Sequence, residues 1–249
     1  MTFADKVVLV TGGTRGVGLG IVRAFAKAGA HVVTCGRSEA DSEVRYVRAD
    51  VRDPAQVDTL VSTVVDEYGR LDVVVNNAGG APPVLAATAS PRLHQKIIEL
   101  NLLAPLHVSQ RANTVMRQQD SGGAIVMIGS VSGTRPSPGT AAYGAAKAGL
   151  ANLATSLAVE WAPKVRVNTV VVGPVDTELS PMHYGDEAGV AAVGATIPMG
   201  RMATPADVAE ACLYLASPAA AYVTGSTLTV HGGGERPAFL DASNAEEIS

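Results

Sequence analysis

A chain of 249 residues, 47% apolar and 17% charged, is long enough to bury a sizeable core and too apolar to be disordered. Its net charge of −4, with no Lys/Arg run and no aromatics interleaved with basic residues, excludes the electrostatic footprint of a nucleic-acid binder and favours a small-molecule partner. No apolar run reaches the ~20 residues a membrane span needs, and the first six residues lack a basic segment followed by an apolar one, so neither membrane nor export is expected, and a cytoplasmic location is.

The elements alternate. The run 7–10 predicts a first strand, and a helix from about Gly18 to Lys27 follows, ended by Gly29. Strands are predicted over 31–35 and 44–47, joined by only eight residues, Gly36 to Glu43. A full crossover helix needs about a dozen, so a loop or single turn is expected there. A helix over Pro54–Tyr68 leads to a strand at 73–75. Ser90-Pro91 supplies an N-cap and first helical residue for a long helix running through Asn101 to about Gln118. Then come a strand over 124–128, a helix over Ala141–Trp161, a strand over Val165–Val172, a helix opened by Thr204-Pro205 and running to about Ala216, and a last strand at Thr227–Val230. Continuous apolar strands alternating with helices predict an α/β, doubly wound parallel sheet covered on both faces. One domain over 1–249 is expected, with 235–249 partly an arm or tail. Cys35 and Cys212 are expected to be buried, reduced thiols.

Between the first strand and first helix stands Thr11-Gly12-Gly13-Thr14-Arg15-Gly16-Val17-Gly18. Glycines there permit a tight turn and let backbone approach a pyrophosphate, while the helix N-terminus offers free N–H groups and partial positive charge. At the end of the second strand an NAD site would place Asp or Glu. Gly36-Arg37-Ser38 stands there instead, so Arg37, aided by Arg15, would pair with the 2′-phosphate of NADP(H), with NAD(H) as the second choice. Asp50 and Val51 close the third strand, where Asp50 would accept from an adenine amino group or cap the helix at Pro54.

Five ordered motifs across residues 6–234 make the chain resemble the short-chain dehydrogenase/reductase family in its single-domain form. They are the Gly-rich turn (Gly12, Thr14, Arg15, Gly16, Val17, Gly18), Asn76-Asn77-Ala78-Gly79, Asn101 in Glu99-Leu100-Asn101-Leu102, Ser130 with Tyr143-Gly144-Ala145-Ala146-Lys147 thirteen residues on, and Val167-Asn168 through Gly173-Pro174-Val175-Asp176-Thr177. The resemblance implies a three-layer Rossmann fold with about seven parallel strands and helices on both faces. It implies Asn101, Ser130, Tyr143 and Lys147 as catalytic residues. It also implies cofactor contacts from the turn, Asn77, Ala78, Gly79, Tyr143, Lys147, Gly173, Pro174, Val175 and Thr177, and a homotetramer or else a homodimer. The chain departs from the family in Val172 before Gly173, in His231 where Asp is usual, and in Gly129 before Ser130.

The chemistry asks for these types. Hydride transfer to a ketone builds charge on its oxygen, and a phenol with a pKa near 10 is a poor proton donor and acceptor unaided. A lysine four residues on shares its helix face, so Lys147, with the charge of an oxidised nicotinamide, would pull Tyr143 toward neutrality. Ser130 would orient the substrate oxygen, and Asn101, by resemblance, would hold a water linking Lys147 to solvent. A Tyr/Lys pair or a strand-ending Ser is ordinary alone, and the weight lies in their joint spacing with the turn. No His/Cys/carboxylate cluster implies a metal. The apolar run 80–85 and the stretch Glu178 to Met202, read as a lid, would border the substrate through Met182, His183, Tyr184, Ile197 and Met199. These features predict NADP(H)-dependent interconversion of an apolar ketone and a secondary alcohol. Reduction of a 3-oxoacyl thioester on ACP or CoA, with Arg135 and Arg201 as the only basic nominees, is the specific alternative. A non-catalytic dinucleotide sensor or scaffold is the third.

Overall fold

The computed structural model describes residues 1–242. Its strands are β1 (Val7–Thr11), β2 (His31–Gly36), β3 (Arg45–Arg48), β4 (Val73–Asn76), β5 (Gly123–Ser130), β6 (Val165–Val172) and β7 (Thr227–Val230). They form one seven-stranded sheet in the order β3-β2-β1-β4-β5-β6-β7, every pairing parallel. Strand side chains alternate between two cores. Val7 and Leu9 of β1 join Leu60 and Val64 of α2 (Pro54–Tyr68), Val108 and Ala112 of a helix described below, and Leu150 and Ala154 of the long helix over Ala141–Trp161. Val8 and Val10 join Ile21 and Phe25 of α1 (Gly16–Lys27) and, from the helix over Pro205–Ala216, Val208 and Cys212. Burial on both faces is why these strands read as unbroken apolar runs.

The link from β2 to β3 holds no helix, as predicted, but β3 begins at Arg45 rather than residue 44 because Val33 pairs with Arg45. The predicted helix through Asn101 is three segments. They are α3 (Pro91–Ile98), a π turn over Glu99–Leu103, and α4 (Ala104–Met116). Ser90 caps α3 as expected, accepting from the Leu93 N–H at 3.2 Å. Asp50 does not cap α2; Asp53 does, accepting from the Ala55 N–H at 3.0 Å beside Pro54. After α5 (Ala141–Trp161), the expected lid contains two helices, α6 (Ser180–Tyr184) and α7 (Glu187–Ala195). Next come α8 (Pro205–Ala216), opened by a Thr204–Asp207 capping box, and the short α9 (Ala238–Ala242). The expected tail is thus helical in part, and 243–249 lies outside the described residues.

Leu150, Ala154 and Leu157 of α5 are at most 5% exposed and belong to the chain's own core. Both cysteines are free and buried, and burial pushes each thiol up to about 12, which leaves them unreactive at neutral pH. No helix among the described residues is long and apolar enough to cross a membrane.

Asp72 ties the sheet's start together. Its carboxylate accepts from the Val7 N–H at 3.0 Å, Lys6 Nζ at 3.1 Å and Arg70 Nε at 2.7 Å. Burial pushes its carboxyl up, but the bonds from Arg70, Val7 and Lys6 outweigh this and hold it below the usual range. A lowered carboxyl stabilises the fold above its unfolded pKa of about 4, and that contribution is lost as pH falls through the folded value. Asp72→Asn is expected to cost about 1–3 kcal/mol at pH 7, read from urea unfolding, with the gap closing below about pH 4.

Candidate active site

Strand order reverses between β1 and β4, and in an open parallel sheet the crevice beyond the strands' carboxyl ends at such a point is the ligand site. A cleft of about 590 Å³ lies there. Arg37, Asp50 and Val51 line it beside β2 and β3, the turn lines it through Gly12, Thr14, Arg15, Gly16, Val17 and Gly18, and Asn77, Ala78 and Gly79 line it beyond β4. Ser130, Tyr143, Lys147, Gly173, Val175 and Thr177 complete the wall.

The turn is built for close approach. A Cβ on Gly18 would lie 2.3 Å from the Gly12 carbonyl oxygen, so only glycine fits. Asn77 Nδ2 donates to the carbonyls of Thr11 and Gly12 at 3.0 and 3.1 Å, and the Thr11 hydroxyl accepts from the N–H groups of Asn77 and Ala78. These bonds stitch the ends of β1 and β4 into one rim. Arg15, at the N-cap of α1, supplies no side-chain cap, which leaves first-turn N–H groups facing the cleft. The guanidiniums of Arg15 and Arg37 are exposed and, among the described residues, make no hydrogen bond or ion pair. Glu39 turns to Arg48 at 3.8 Å. Two unengaged cations and a glycine cradle fit a phosphorylated dinucleotide. The Asp50 carboxylate is held by Arg52, whose hydrogen bond keeps its carboxyl below the ordinary range.

At the other end β5 delivers Ser130, and α5 delivers Tyr143 and Lys147. The helix comes close because Gly144 leaves room: a Cβ there would lie 2.6 Å from the Ser132 carbonyl oxygen. Lys147 Nζ is buried, donates to the Ile128 carbonyl at 2.7 Å and lies 5.6 Å from the centre of the Tyr143 ring. Burial lowers its ammonium to about 8. The expected depression of Tyr143 is not found on the chain's own residues. Burial raises the phenol, outweighing Ser130, whose hydroxyl lies close enough to favour the ionised form, and the Tyr184 phenol adds to the rise. Asn101 is fully buried and off the cleft wall. Its amide accepts from the Gly80 N–H at 2.9 Å and donates to the carbonyls of Gly80 and Ile97 at 3.0 and 2.9 Å, which ties the 78–80 loop to this helix. Gly79 lies between Asn101 and Lys147, where a Cβ would be 2.8 Å from Asn101 Oδ1 and 3.4 Å from Lys147 Nζ. Pro174 is also off the wall, its carbonyl accepting from the Ala203 N–H. Asn168 is internal to the sheet edge, donating to Val223.

Cleft residues missed in the sequence include Cys35, Tyr46 and Leu179. The Tyr46 phenol reaches the Gly36 and Ser38 carbonyls and shapes the loop carrying Arg37. Strand alternation beside the end of β2 was the signal that could have found it.

A family model described as enoyl-(acyl carrier protein) reductase matches residues 12–235. The chain belongs to the short-chain dehydrogenase/reductase family. It is therefore an oxidoreductase acting on CH–OH groups. It is 36% identical over 247 residues to a 3α-hydroxysteroid dehydrogenase of Mediterraneibacter gnavus, covering 93% of this chain and 98% of that protein. It is 35% identical to the 3-oxoacyl-(acyl-carrier-protein) reductase FabG of Escherichia coli K12, covering 94% and 98%. Among solved structures, aldohexose dehydrogenase of Thermoplasma acidophilum superposes with a TM-score of 0.89 at 29% identity, covering 99% of this chain and 98% of that one.

In this short-chain dehydrogenase/reductase the expected substrate-facing residues divide. None of Met182, His183, Tyr184, Ile197 and Met199 lines the cleft, whereas Leu179 does. Ile197 is 3% exposed and faces Gly232, while Met182 and Met199 are largely exposed. The Tyr184 phenol sits within electrostatic reach of Tyr143, Arg135 and Glu235. Of the run 80–85, Gly80 is on the cleft, but Pro82 and Val84 line a separate hollow of about 10 Å³ with His94, whose buried Nδ1 has no hydrogen-bond partner among the described residues. Arg135 pairs with Glu235 and Arg201 with Asp207, so both basic nominees for an anionic substrate are already engaged.

Proposed function

We propose that this enzyme interconverts a ketone and a secondary alcohol with NADP(H), using Tyr143 as general acid and base. The observation that carries the reading is the convergence of the Tyr143 phenol, the Ser130 hydroxyl and the Lys147 ammonium on the wall of the cleft that also holds the Gly-rich turn. A bound nicotinamide supplies or accepts the hydride. Ser130 donates to the substrate oxygen and fixes it against Tyr143. The phenol gives its proton to that oxygen in reduction and takes it back in oxidation. Lys147, anchored on the Ile128 carbonyl, holds positive charge beside the phenol and favours phenolate electrostatically. Asn101 positions the 78–80 loop in front of Lys147. Arg37 and Arg15 are the groups proposed to hold the 2′-phosphate.

The substrate is proposed to be uncharged and largely apolar. Similarity to the acyl-carrier-protein reductase favours a 3-oxoacyl thioester as the second reading. The engagement of Arg135 and Arg201 with the chain's own carboxylates, and the net charge of −4, weigh against an acidic carrier. A homotetramer or homodimer in the cytoplasm is proposed for the assembled enzyme. The test follows reduced-nicotinamide absorbance while NADPH and NADH are each paired with ketones, acyl thioesters and quinones. Turnover with NADPH and uncharged ketones is expected; no turnover on any carbonyl with either nucleotide overturns the reading. In the same assay Arg37→Ala is expected to raise KM for NADPH about 10- to 100-fold and leave KM for NADH within about twofold.

A further inference from the structure

The first-turn N–H groups of α1 have no partner within the helix, and the residue at its N-cap, Arg15, offers no acceptor. A carboxylate from 162 residues away fills the gap: Glu178 Oε1 accepts from the Gly16 N–H at 3.0 Å. Glu178 follows Thr177 at the root of the lid, and both reach the turn. A Cβ placed on Gly16 would lie 3.8 Å from Thr177 Cγ2 and 3.9 Å from Glu178 Oε1. The partial positive charge of a helix N-terminus favours one anion there, and a dinucleotide's diphosphate would take the same N–H groups. Glu178 occupies the Gly16 N–H, and its negative charge opposes a second anion on the neighbouring ones.

We propose that Glu178 is an affinity-setting residue of the cofactor cleft, a built-in competitor whose carboxylate holds the diphosphate's place on α1 and leaves when the dinucleotide enters. The proposal rests on the dinucleotide reading of the cleft given above. It gives cofactor entry a mechanical consequence. The Thr177 N–H donates to Ser180 Oγ at 2.8 Å, and the Leu179 N–H donates to Thr177 Oγ1 at 3.2 Å. Displacing Glu178 therefore pulls on the short turn that starts α6, the helix ending at Tyr184.

The test compares dissociation constants of the full chain and its Glu178→Gln variant for NADPH, ADP and adenosine, read by calorimetry. Gln keeps an acceptor for the Gly16 N–H and removes only the charge. NADPH and ADP, which carry the diphosphate, are expected to bind the variant about three- to tenfold tighter, and the gap should narrow in high salt. Adenosine, which has no phosphate, should bind both alike. Glu187→Gln, the same charge change on α7 and away from the cleft wall, should leave NADPH affinity unchanged. Equal NADPH affinity for parent and Glu178→Gln overturns the competitor role while leaving the cleft's reading intact, as does a matching gain in Glu187→Gln. If the unmodified chain binds neither NADPH nor NADH, the reading of the cleft falls, and this one with it.

Discussion

Tyr143→Phe is expected to cut turnover about 1000-fold in both directions while NADPH still binds within about twofold of the parent. The substitution keeps the ring that packs in the cleft wall and removes one oxygen, so the loss isolates proton transfer. A factor of 1000 is about 4 kcal/mol of transition-state stabilisation, within what a positioned acid/base group supplies. The pH dependence adds a second readout. Burial lifts the phenol above its ordinary value, so alcohol oxidation, which needs phenolate, should climb with pH in the parent, and the Phe variant should show no such limb. A variant that retained a tenth or more of parental turnover would remove Tyr143 from the chemistry. A sensor built on this fold would keep its output after the change.

Lys147→Met is expected to abolish most turnover and yet stabilise the fold. Lys147 is 4% exposed, and among the described residues its ammonium has a single hydrogen-bond partner, the Ile128 carbonyl. Burying it costs free energy that no carboxylate offsets. Because burial lowers it to about 8 from an unfolded value near 10.4, the unfolded chain binds more protons across that window, and parental stability should climb between about pH 8 and 10.4. Met has similar length and no charge. The variant should gain about 1–2 kcal/mol at pH 7, after losing the Ile128 bond, and its stability should stay flat over the same window. Turnover should fall at least about 100-fold, because the phenol loses its neighbouring charge. Equal or lower stability across the whole window would show that the buried ammonium is not a strained group.

What could be read from the residues alone follows the range of the forces involved. The strands and the bounds of α2 and α8 were legible because apolar runs, caps and Pro at the first helical position are local signals. That the Gly-rich turn meets Ser130, Tyr143 and Lys147 on one cleft was legible because their spacing is a family pattern. The helices of the lid were not, since Gly and Ala dominate α7 and α6 has five residues. Nor were the engagements of Arg135 and Glu178, whose partners lie 100 and 162 residues away. The direction of the Tyr143 shift was misjudged for a related reason. The spacing to Lys147 is visible in the chain, whereas the depth of burial that opposes it arises only when the cleft wall is assembled. The cap of α2 was legible too, because Asp53 stands directly before Pro54 as Ser90 stands before Pro91, and Asp50 lies too far upstream to reach the first turn.

The π turn at Glu99–Leu103 has a consequence for how this protein tolerates change. A π turn carries one residue more per turn than an α-helix, and each residue of helix rotates the following face by about 100°. Val108, Ala112 and Met116, all fully buried, point into the core only because that extra residue is present upstream. Single-residue deletions between 99 and 103 should therefore be lethal to folding where many substitutions are not. In a library of variants this stretch, Asn101 apart, should accept changes of letter and refuse changes of count.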